Sequence, residues 1–166
     1  ITALANHVLL QDEQVRTTAR NGQVPRIIQA NAAAALGQAL LQQVTNTAQN
    51  QPHWRIAIIG KSVQECEALY AQLDEEQQHA IQLITTEDTF MKRRIMIIPA
   101  FLAKGLEFDS VYAWNIGDNF TTSQDQLILY TIATRGMHEL TVLVPNNQSP
   151  LLEQLDATTY QWQEVE

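Results

Sequence analysis

The sequence predicts an α/β domain with a mostly parallel sheet that is covered by helices on both faces. Segments of strand character alternate with segments of helix character along the chain, which is the pattern of this fold class. The strand segments, such as 56–59 and 95–98, are continuous apolar runs, and such runs are typical of parallel strands buried on both faces. Hydrophobic residues make up 45% of the 166 residues, which is enough for a sizeable core.

Apolar runs bounded by polar or turn residues predict six strands, and a seventh is expected near the carboxyl end. The six strands cover residues 25–30, 54–59, 81–85, 95–100, 109–115 and 140–144. Tyr160 and Trp162 mark the further strand, which we place at an edge of the sheet.

Apolar residues at helical spacing predict four helices. The helices cover residues 31–46, 62–73, 123–136 and 150–155. Their predicted inner faces carry Leu36, Leu40, Leu41 and Val44 in the first helix and Leu129, Ala133 and Met137 in the third. Ser123 and Gln126, three positions apart, form a capping-box signature at the start of the third helix. The acidic segment 74–78 is predicted to be a solvated turn.

The first 24 residues have little periodicity and are predicted to be an N-terminal connecting segment, followed by one domain at 25–166. A polar loop is expected at Arg16, Arg20, Asn21 and Gly22. Residues 1–10 lack the basic start and sustained apolar core of a signal peptide, and the first residue is Ile, so we expect an excised fragment.

Compartment and binding partners are constrained by composition. No apolar run approaches the roughly 20 residues that a membrane-spanning helix needs, so no membrane is expected as a partner. The single cysteine, Cys66, excludes an internal disulfide and makes the cytoplasm the expected compartment. Eighteen acidic and ten basic residues give a net charge of −8, which disfavours a stand-alone nucleic-acid binder, although residues 92–94 form a local basic cluster.

Three stretches carry residues that could perform chemistry. Lys61 and Ser62 follow Gly60 between a strand and a helix, as in a phosphate-binding P-loop, but the glycine that this loop needs five residues earlier is Arg55. An ordinary turn is therefore expected there.

The four histidines share no ligand spacing, so no metal site is expected, and Cys66 has no adjacent cation to activate it as a nucleophile.

Lys104, Gly105 and Glu107 form a polar turn between two buried strands, which we place at the carboxyl end of a parallel strand, where such sheets bind ligands. A lysine balances phosphate charge, a glycine lets the backbone approach, and a carboxylate accepts from a ribose hydroxyl. From these residues alone, a plain polar connection is also open, because a Lys-Gly-x-Glu turn is common. Arg135, near a helix end, is either a partner of the helix dipole or an arginine that reaches a phosphate.

Residues 103–111 (AKGLEFDSV) and 129–140 (LYTIATRGMHEL) closely resemble motifs V and VI of the UvrD/Rep-type superfamily 1 helicases in order and separation. Residues 54–73 look like the motif IV region of that family, with Lys61 and Ser62 where Arg-Ser is usual. The resemblance covers roughly residues 24–146. It implies the second RecA-like domain, called 2A, which belongs to the P-loop NTPase superfamily and lacks a Walker A loop.

The resemblance also implies roles for single residues. Lys104 and Gly105 would face the γ-phosphate of ATP, Glu107 would hold the ribose, and Arg135 would stabilise the transition state. The helix that aims Arg135 would be shaped by Tyr130, Ala133 and Thr134. The Walker A, Walker B and Asn-Tyr-Arg segments of the family are expected upstream, in an N-terminal RecA-like domain that would also supply the Mg²⁺ ligands. The 166 residues alone would then be half of an active site and inactive.

One departure from the family pattern keeps the partner open. Motif V usually begins Thr-x-His, residues tied to the path of single-stranded DNA, whereas Pro99 and Phe101 stand here. This form is similar to the helicase-IV-like HelD branch, whose members free stalled RNA polymerase. The sequence therefore predicts a DNA helicase or translocase motor, with RNA polymerase recycling as one alternative and a degenerate protein-interaction module as another. Lys61, Ser62, Pro99 and Phe101 are the candidate residues of a nucleic-acid or partner groove.

Overall fold

The structure is a computed structural model that describes residues 1, 3–5, 23–88, 90–153 and 155–166. Within these residues, seven strands form one sheet in which all neighbouring strands are parallel. The strands are β1 (Arg26–Ala30), β2 (Ile56–Gly60), β3 (Ile81–Leu83), β4 (Ile95–Pro99), β5 (Phe108–Ala113), β6 (Gly136–Pro145) and β7 (Gln161–Val165). Their order across the sheet is β3-β4-β2-β5-β6-β1-β7, so β7 lies at an edge, as the sequence predicts.

From Arg26 onward, five helices and a short 3-10 turn connect the strands among the residues that the structure describes. The helices are α1 (Ala33–Asn50), α2 (Val63–Tyr70), α3 (Glu75–Ala80), α4 (Ala100–Ala103) and α5 (Ser123–Ala133), and the 3-10 turn is Pro150–Leu152. Residues of α1 and α2 pack in one hydrophobic cluster, and residues of α4 and α5 pack in a second cluster. The predicted arrangement of a parallel sheet between two helical layers is confirmed.

Both faces of the central strands are buried, which explains their continuous apolar sequences. In β2, Ile58 packs with Leu40 of α1, whereas the next residue, Ile59, belongs to the cluster that contains Leu129 of α5. Successive side chains of a strand point to opposite faces, so a strand covered on both sides needs an apolar residue at each position. All five residues of β2 and of β4 are buried.

The sequence places two local features incorrectly. The acidic segment at 74–78 is not a turn, because helix α3 begins at Glu75. Asp74 caps this helix by accepting from the backbone N–H of Gln77 at 2.8 Å, and acidic residues in a first turn interact favourably with the helix dipole. In α5 the capping box is formed by Thr122 with Asp125, one residue earlier than predicted.

The third predicted helix is also too long. Helix α5 ends at Ala133, and Met137, predicted on its inner face, belongs to β6. Most of the predicted connecting segment 1–24, including the polar loop at 16, 20, 21 and 22, lies outside the described residues. Of the part that is described, Leu4 and Ala5 are fully buried. No helix in the described part of the chain is long and apolar enough to cross a bilayer.

An ion pair joins the carboxyl end of β2 to the first turn of α5. Lys61 Nζ lies 2.5 Å from Oδ1 of Asp125 and also donates to the carbonyl oxygen of Asn119. The same ammonium lies 4.9 Å from the centroid of the Phe120 ring, at cation–π distance. Because Asp125 is only 5% exposed, these contacts fix α5 against the sheet at a point where an unpaired charge would be costly.

The ionisation of Asp125 depends on its hydrogen bonds. Burial alone would raise the pKa of this carboxyl, but the hydrogen bonds that it accepts from Lys61, Thr122 and Thr121 outweigh burial and hold the pKa well below its ordinary value. A carboxyl with a lowered pKa in the folded state stabilises the fold above its unfolded pKa. This contribution is lost as the pH falls through the folded pKa.

We expect Asp125→Asn to lower the free energy of unfolding at pH 7 by about 2 kcal/mol, because it removes charged hydrogen bonds to a buried group. The difference from wild type should narrow below about pH 4, where the wild-type carboxylate becomes protonated in the unfolded chain. Urea denaturation between pH 3 and pH 8 measures both effects. Asp118→Asn, which removes an exposed carboxylate, is the matched control. A loss of stability in Asp125→Asn that stays constant down to pH 3 would contradict the lowered pKa of Asp125 in the folded state.

We expect Thr122→Ala to destabilise the domain by about 1 kcal/mol, which is the usual effect of removing a helix N-cap. The Thr122 hydroxyl accepts from the backbone N–H of Asp125 at 3.2 Å and donates to its carboxylate at 2.8 Å. Thr121→Ala is the control, because Thr121 contacts that carboxylate through its backbone N–H, which alanine keeps. Equal losses of stability in the two variants, measured by thermal unfolding, would show that the cap contributes nothing.

Candidate functional site

The segment between β4 and β5 runs from the carboxyl ends of the parallel strands back to their amino ends. These two sides of the sheet are the carboxyl edge and the amino edge. Both strands run parallel to β2, so the chain that leaves the carboxyl end of β4 at Pro99 returns to the amino end of β5 at Phe108. Helix α4 and residues 104–107 make this return. The expectation that Lys104, Gly105 and Glu107 lie at the carboxyl end of a strand is therefore wrong, because it assumed a simple turn between neighbouring strands.

Residues 103–106 form a type II β-turn. Lys104 has φ −60° and ψ 126°, Gly105 has φ +84°, and the N–H of Leu106 donates to the carbonyl of Ala103 at 3.0 Å. A Cβ built on Gly105 would meet no atom within 4 Å, so the requirement for glycine comes from the positive φ and not from lack of space. The turn fixes the backbone between two charged residues.

Lys104 and Glu107 offer free charged groups to solvent. Both residues are exposed, and neither side chain makes a hydrogen bond or ion pair with any other described residue. An ammonium and a carboxylate that serve no partner within the fold remain able to bind a ligand with both a donor and an acceptor group.

Arg135 lies next to this turn, although 29 positions separate it from Leu106. Its carbonyl accepts from the N–H of Phe108 at 2.9 Å, and its Nη1 donates to the carbonyl of Leu106 at 3.1 Å. Arg135 directly precedes β6, so the contact lies at the amino edge of the sheet, between the starts of β5 and β6. The structure thus brings together the two segments that carry Glu107 and Arg135.

All three nitrogen atoms of the Arg135 guanidinium donate hydrogen bonds. Nε donates to the carbonyl of Thr131 at 3.2 Å, Nη1 to that of Leu106, and Nη2 to the hydroxyl of Thr134 at 3.2 Å. An arginine has five N–H donors, so two remain for another acceptor. The bond to the Thr131 carbonyl makes Arg135 a partner of the carboxyl end of α5, which is the first of its two predicted roles. Its two spare N–H donors still allow the second predicted role, in which the arginine reaches a phosphate.

The other candidate residues lie at the opposite, carboxyl edge. Pro99 ends β4 and is in register with Gly60 of β2, which Lys61 and Ser62 follow. Lys61 is committed to its ion pair, and Ser62 caps α2 by accepting from the N–H of Glu65 at 3.2 Å. Phe101, on α4, is 55% exposed. The structure groups these four residues away from Arg135, and their role as a groove stays a prediction.

Several contacts at the candidate site could not be predicted from the sequence. The acceptors that orient Arg135 include two backbone carbonyls, which leave no trace in the sequence. The contact of the Thr134 hydroxyl with Arg135 is not predicted either, although the resemblance implies that Thr134, with Tyr130 and Ala133, shapes the helix that aims this arginine. Also at the amino edge, His138 Nε2 lies 3.6 Å from Oδ1 of Asp109, and the imidazole stacks on Trp54 with ring centroids 5.3 Å apart.

Clustered metal ligands and an activated thiol are both absent from the part of the chain that the structure describes. These residues contain no group of three or more His, Cys, Asp or Glu that could hold a metal ion. Burial raises the pKa of the Cys66 thiol to about 12, because the apolar surroundings disfavour the thiolate, the form that acts as a nucleophile.

Solved structures of known proteins include chains that are similar to this one. The crystal structure of the C-terminal domain of a possible DNA helicase from Lactobacillus plantarum WCFS1 superposes with a TM-score of 0.82. The two sequences are 32% identical, and the match covers 97% of this chain and 93% of that chain. No family model and no curated protein matches the sequence. The shared architecture confirms the predicted RecA-like α/β fold. By this identity and coverage, the chain belongs to the same family as that helicase C-terminal domain.

Proposed function

We propose that this chain is the C-terminal motor domain of an ATP-dependent superfamily 1 DNA helicase or translocase, and that it forms one wall of an ATP site between two RecA-like domains. The observation that carries the proposal is the bond between Arg135 Nη1 and the Leu106 carbonyl, which joins the arginine to the turn of Lys104 and Glu107. The name of the similar domain, a possible DNA helicase, supports the same class.

The described side chains fit a nucleoside triphosphate. In the proposed site the free ammonium of Lys104 donates to a γ-phosphate oxygen, and the backbone at Gly105 approaches without a Cβ. The carboxylate of Glu107 accepts from a ribose hydroxyl. The two spare N–H groups of Arg135 donate to the phosphoryl oxygens, where negative charge must be stabilised during transfer.

The proposed site is incomplete without a second domain. The metal ligands and the Walker A loop are assigned to an N-terminal RecA-like domain of the same protein, as the resemblance of the motifs implies. We expect the 166 residues alone not to hydrolyse ATP. Hydrolysis in the complete protein would open and close the cleft between the two domains and drive movement along a partner.

Two partners compete in this proposal. Single-stranded DNA agrees with the name of the similar domain. RNA polymerase, recycled without strand unwinding, agrees with the net charge of −8, which weakens attraction to a polyanion, and with Pro99 and Phe101 in motif V. A degenerate interaction module is disfavoured, because such a module has no use for charged side chains held free at one edge.

We expect Arg135→Ala in the full-length protein to lower ATP turnover by on the order of 10³-fold, as loss of such an arginine does in related NTPases. ATP binding should change little, because the arginine acts mainly on the transition state. Steady-state hydrolysis and nucleotide-binding titration measure the two quantities. Arg93→Ala is the control, since Arg93 is exposed and donates to the carbonyl of Gln78, far from β6 in the strand order. Turnover at the wild-type level would refute the role of Arg135.

The partner is tested by stimulation of the same ATPase. We expect single-stranded DNA to raise the turnover of the full-length protein several-fold at low salt, with the effect weakening as salt rises, because phosphate contacts are screened. RNA polymerase is added in a parallel series. Stimulation by RNA polymerase without any response to DNA would replace the translocase by the polymerase-recycling alternative.

A further inference from the structure

We propose that Thr134 is a positioning residue whose hydroxyl aims the Arg135 guanidinium at the phosphate. The inference rests on the proposed function, because it assigns a partner to the arginine of that site. It concerns a residue that would touch neither ATP nor a metal and would act through Arg135 alone.

The neighbours of the Thr134 hydroxyl determine where it donates its proton and from which group its oxygen accepts. Its oxygen lies 2.9 Å from the carbonyl of Tyr130 and 3.0 Å from the carbonyl of Thr131, and both carbonyls can only accept. The single hydroxyl proton is therefore directed into the last turn of α5. The lone pairs of the oxygen then face Nη2 of Arg135 at 3.2 Å, which can only donate.

The three acceptors around Arg135 have separate effects. The carbonyl of Thr131 holds Nε and the carbonyl of Leu106 holds Nη1, so Nη2 depends on the Thr134 hydroxyl for its acceptor. Contacts at all three nitrogens fix the plane of the guanidinium and leave two N–H groups for a ligand. Without the hydroxyl, that plane could rotate about its remaining contacts, and the spare donors would lose their common direction.

Helix α5 offers a matched control in Thr131. Its hydroxyl donates to the carbonyl of Leu127 at 2.8 Å, in the same backward direction along the same helix. That hydroxyl does not contact Arg135, which binds only the backbone carbonyl of Thr131. Replacement of either threonine by valine removes a helix-bound hydroxyl, but only the replacement at Thr134 removes an acceptor of the guanidinium.

The test compares Thr134→Val, Thr134→Ser, Thr131→Val and Arg135→Ala in the full-length protein. We expect Thr134→Val to lower kcat for ATP hydrolysis about 10-fold with KM within about twofold, because one hydrogen bond to a charged group is lost. Thr134→Ser keeps the hydroxyl and should restore kcat, and Thr131→Val, which keeps the backbone carbonyl that holds Nε, should lose clearly less kcat than Thr134→Val. Should Thr134→Val not fold, Thr134→Ala removes the same hydroxyl and takes its place.

The outcomes separate this inference from the proposed function. Wild-type turnover in Arg135→Ala would reject the role of the arginine itself. Loss of turnover in Arg135→Ala together with wild-type kcat in Thr134→Val would overturn only the positioning role. Equal losses of kcat in the two valine variants, or a raised KM at unchanged kcat in Thr134→Val, would also overturn it. A readout apart from turnover is the Arg135 Nε–H signal in NMR, whose exchange with solvent should accelerate in Thr134→Val and not in Thr131→Val.

Discussion

The parallel direction of β4, β5 and β6 is the constraint on which the rest of the structure depends. Because neighbouring strands start at the same edge, each connection must carry the chain back across the sheet before the next strand begins. The two returns that precede β5 and β6 therefore finish side by side. Residues 104–107 end one return and Arg135 ends the other, and the hydrogen bonds of Arg135 to Leu106 and Phe108 join them. The candidate site results from topology as much as from the residues themselves.

Charged residues near the two ends of the strands differ in whether the fold itself gives them partners. At the carboxyl edge, where parallel sheets commonly bind ligands, the polar groups near β2 satisfy one another: Lys61 pairs with Asp125, and Glu65 accepts from the amide of Asn119 at 2.8 Å. At the amino edge, Lys104 and Glu107 are exposed and unbonded among the described residues. Charged groups that are neutralised within the fold contribute stability, whereas free ones are available for binding.

The fold class could be predicted from the sequence, because a strand buried on both faces needs apolar residues throughout and leaves an unbroken run, as at Ile56 to Ile59. Helix α3 was missed because none of its residues is buried, so it carries no apolar pattern, although Asp74 and Gln77, three positions apart, are a capping-box signature in the sequence. The candidate site residues come from motif spacing, and their roles stay predictions. Their location was not predictable, because a four-residue helix such as α4 leaves too short a pattern to reveal a crossover.

The paired tethers between Arg135 and the start of β5 also bear on how the domain could move. One tether is a backbone bond, from Phe108 N–H to the Arg135 carbonyl, and the other runs from the arginine side chain to the Leu106 carbonyl. Sliding one segment past the other would break both bonds at once. The wall formed by the turn and the arginine is therefore stiff in itself. In the proposed site, a ligand bound to the turn and to Arg135 would transmit force to the whole sheet. Any hinge would have to lie outside the turn and the arginine.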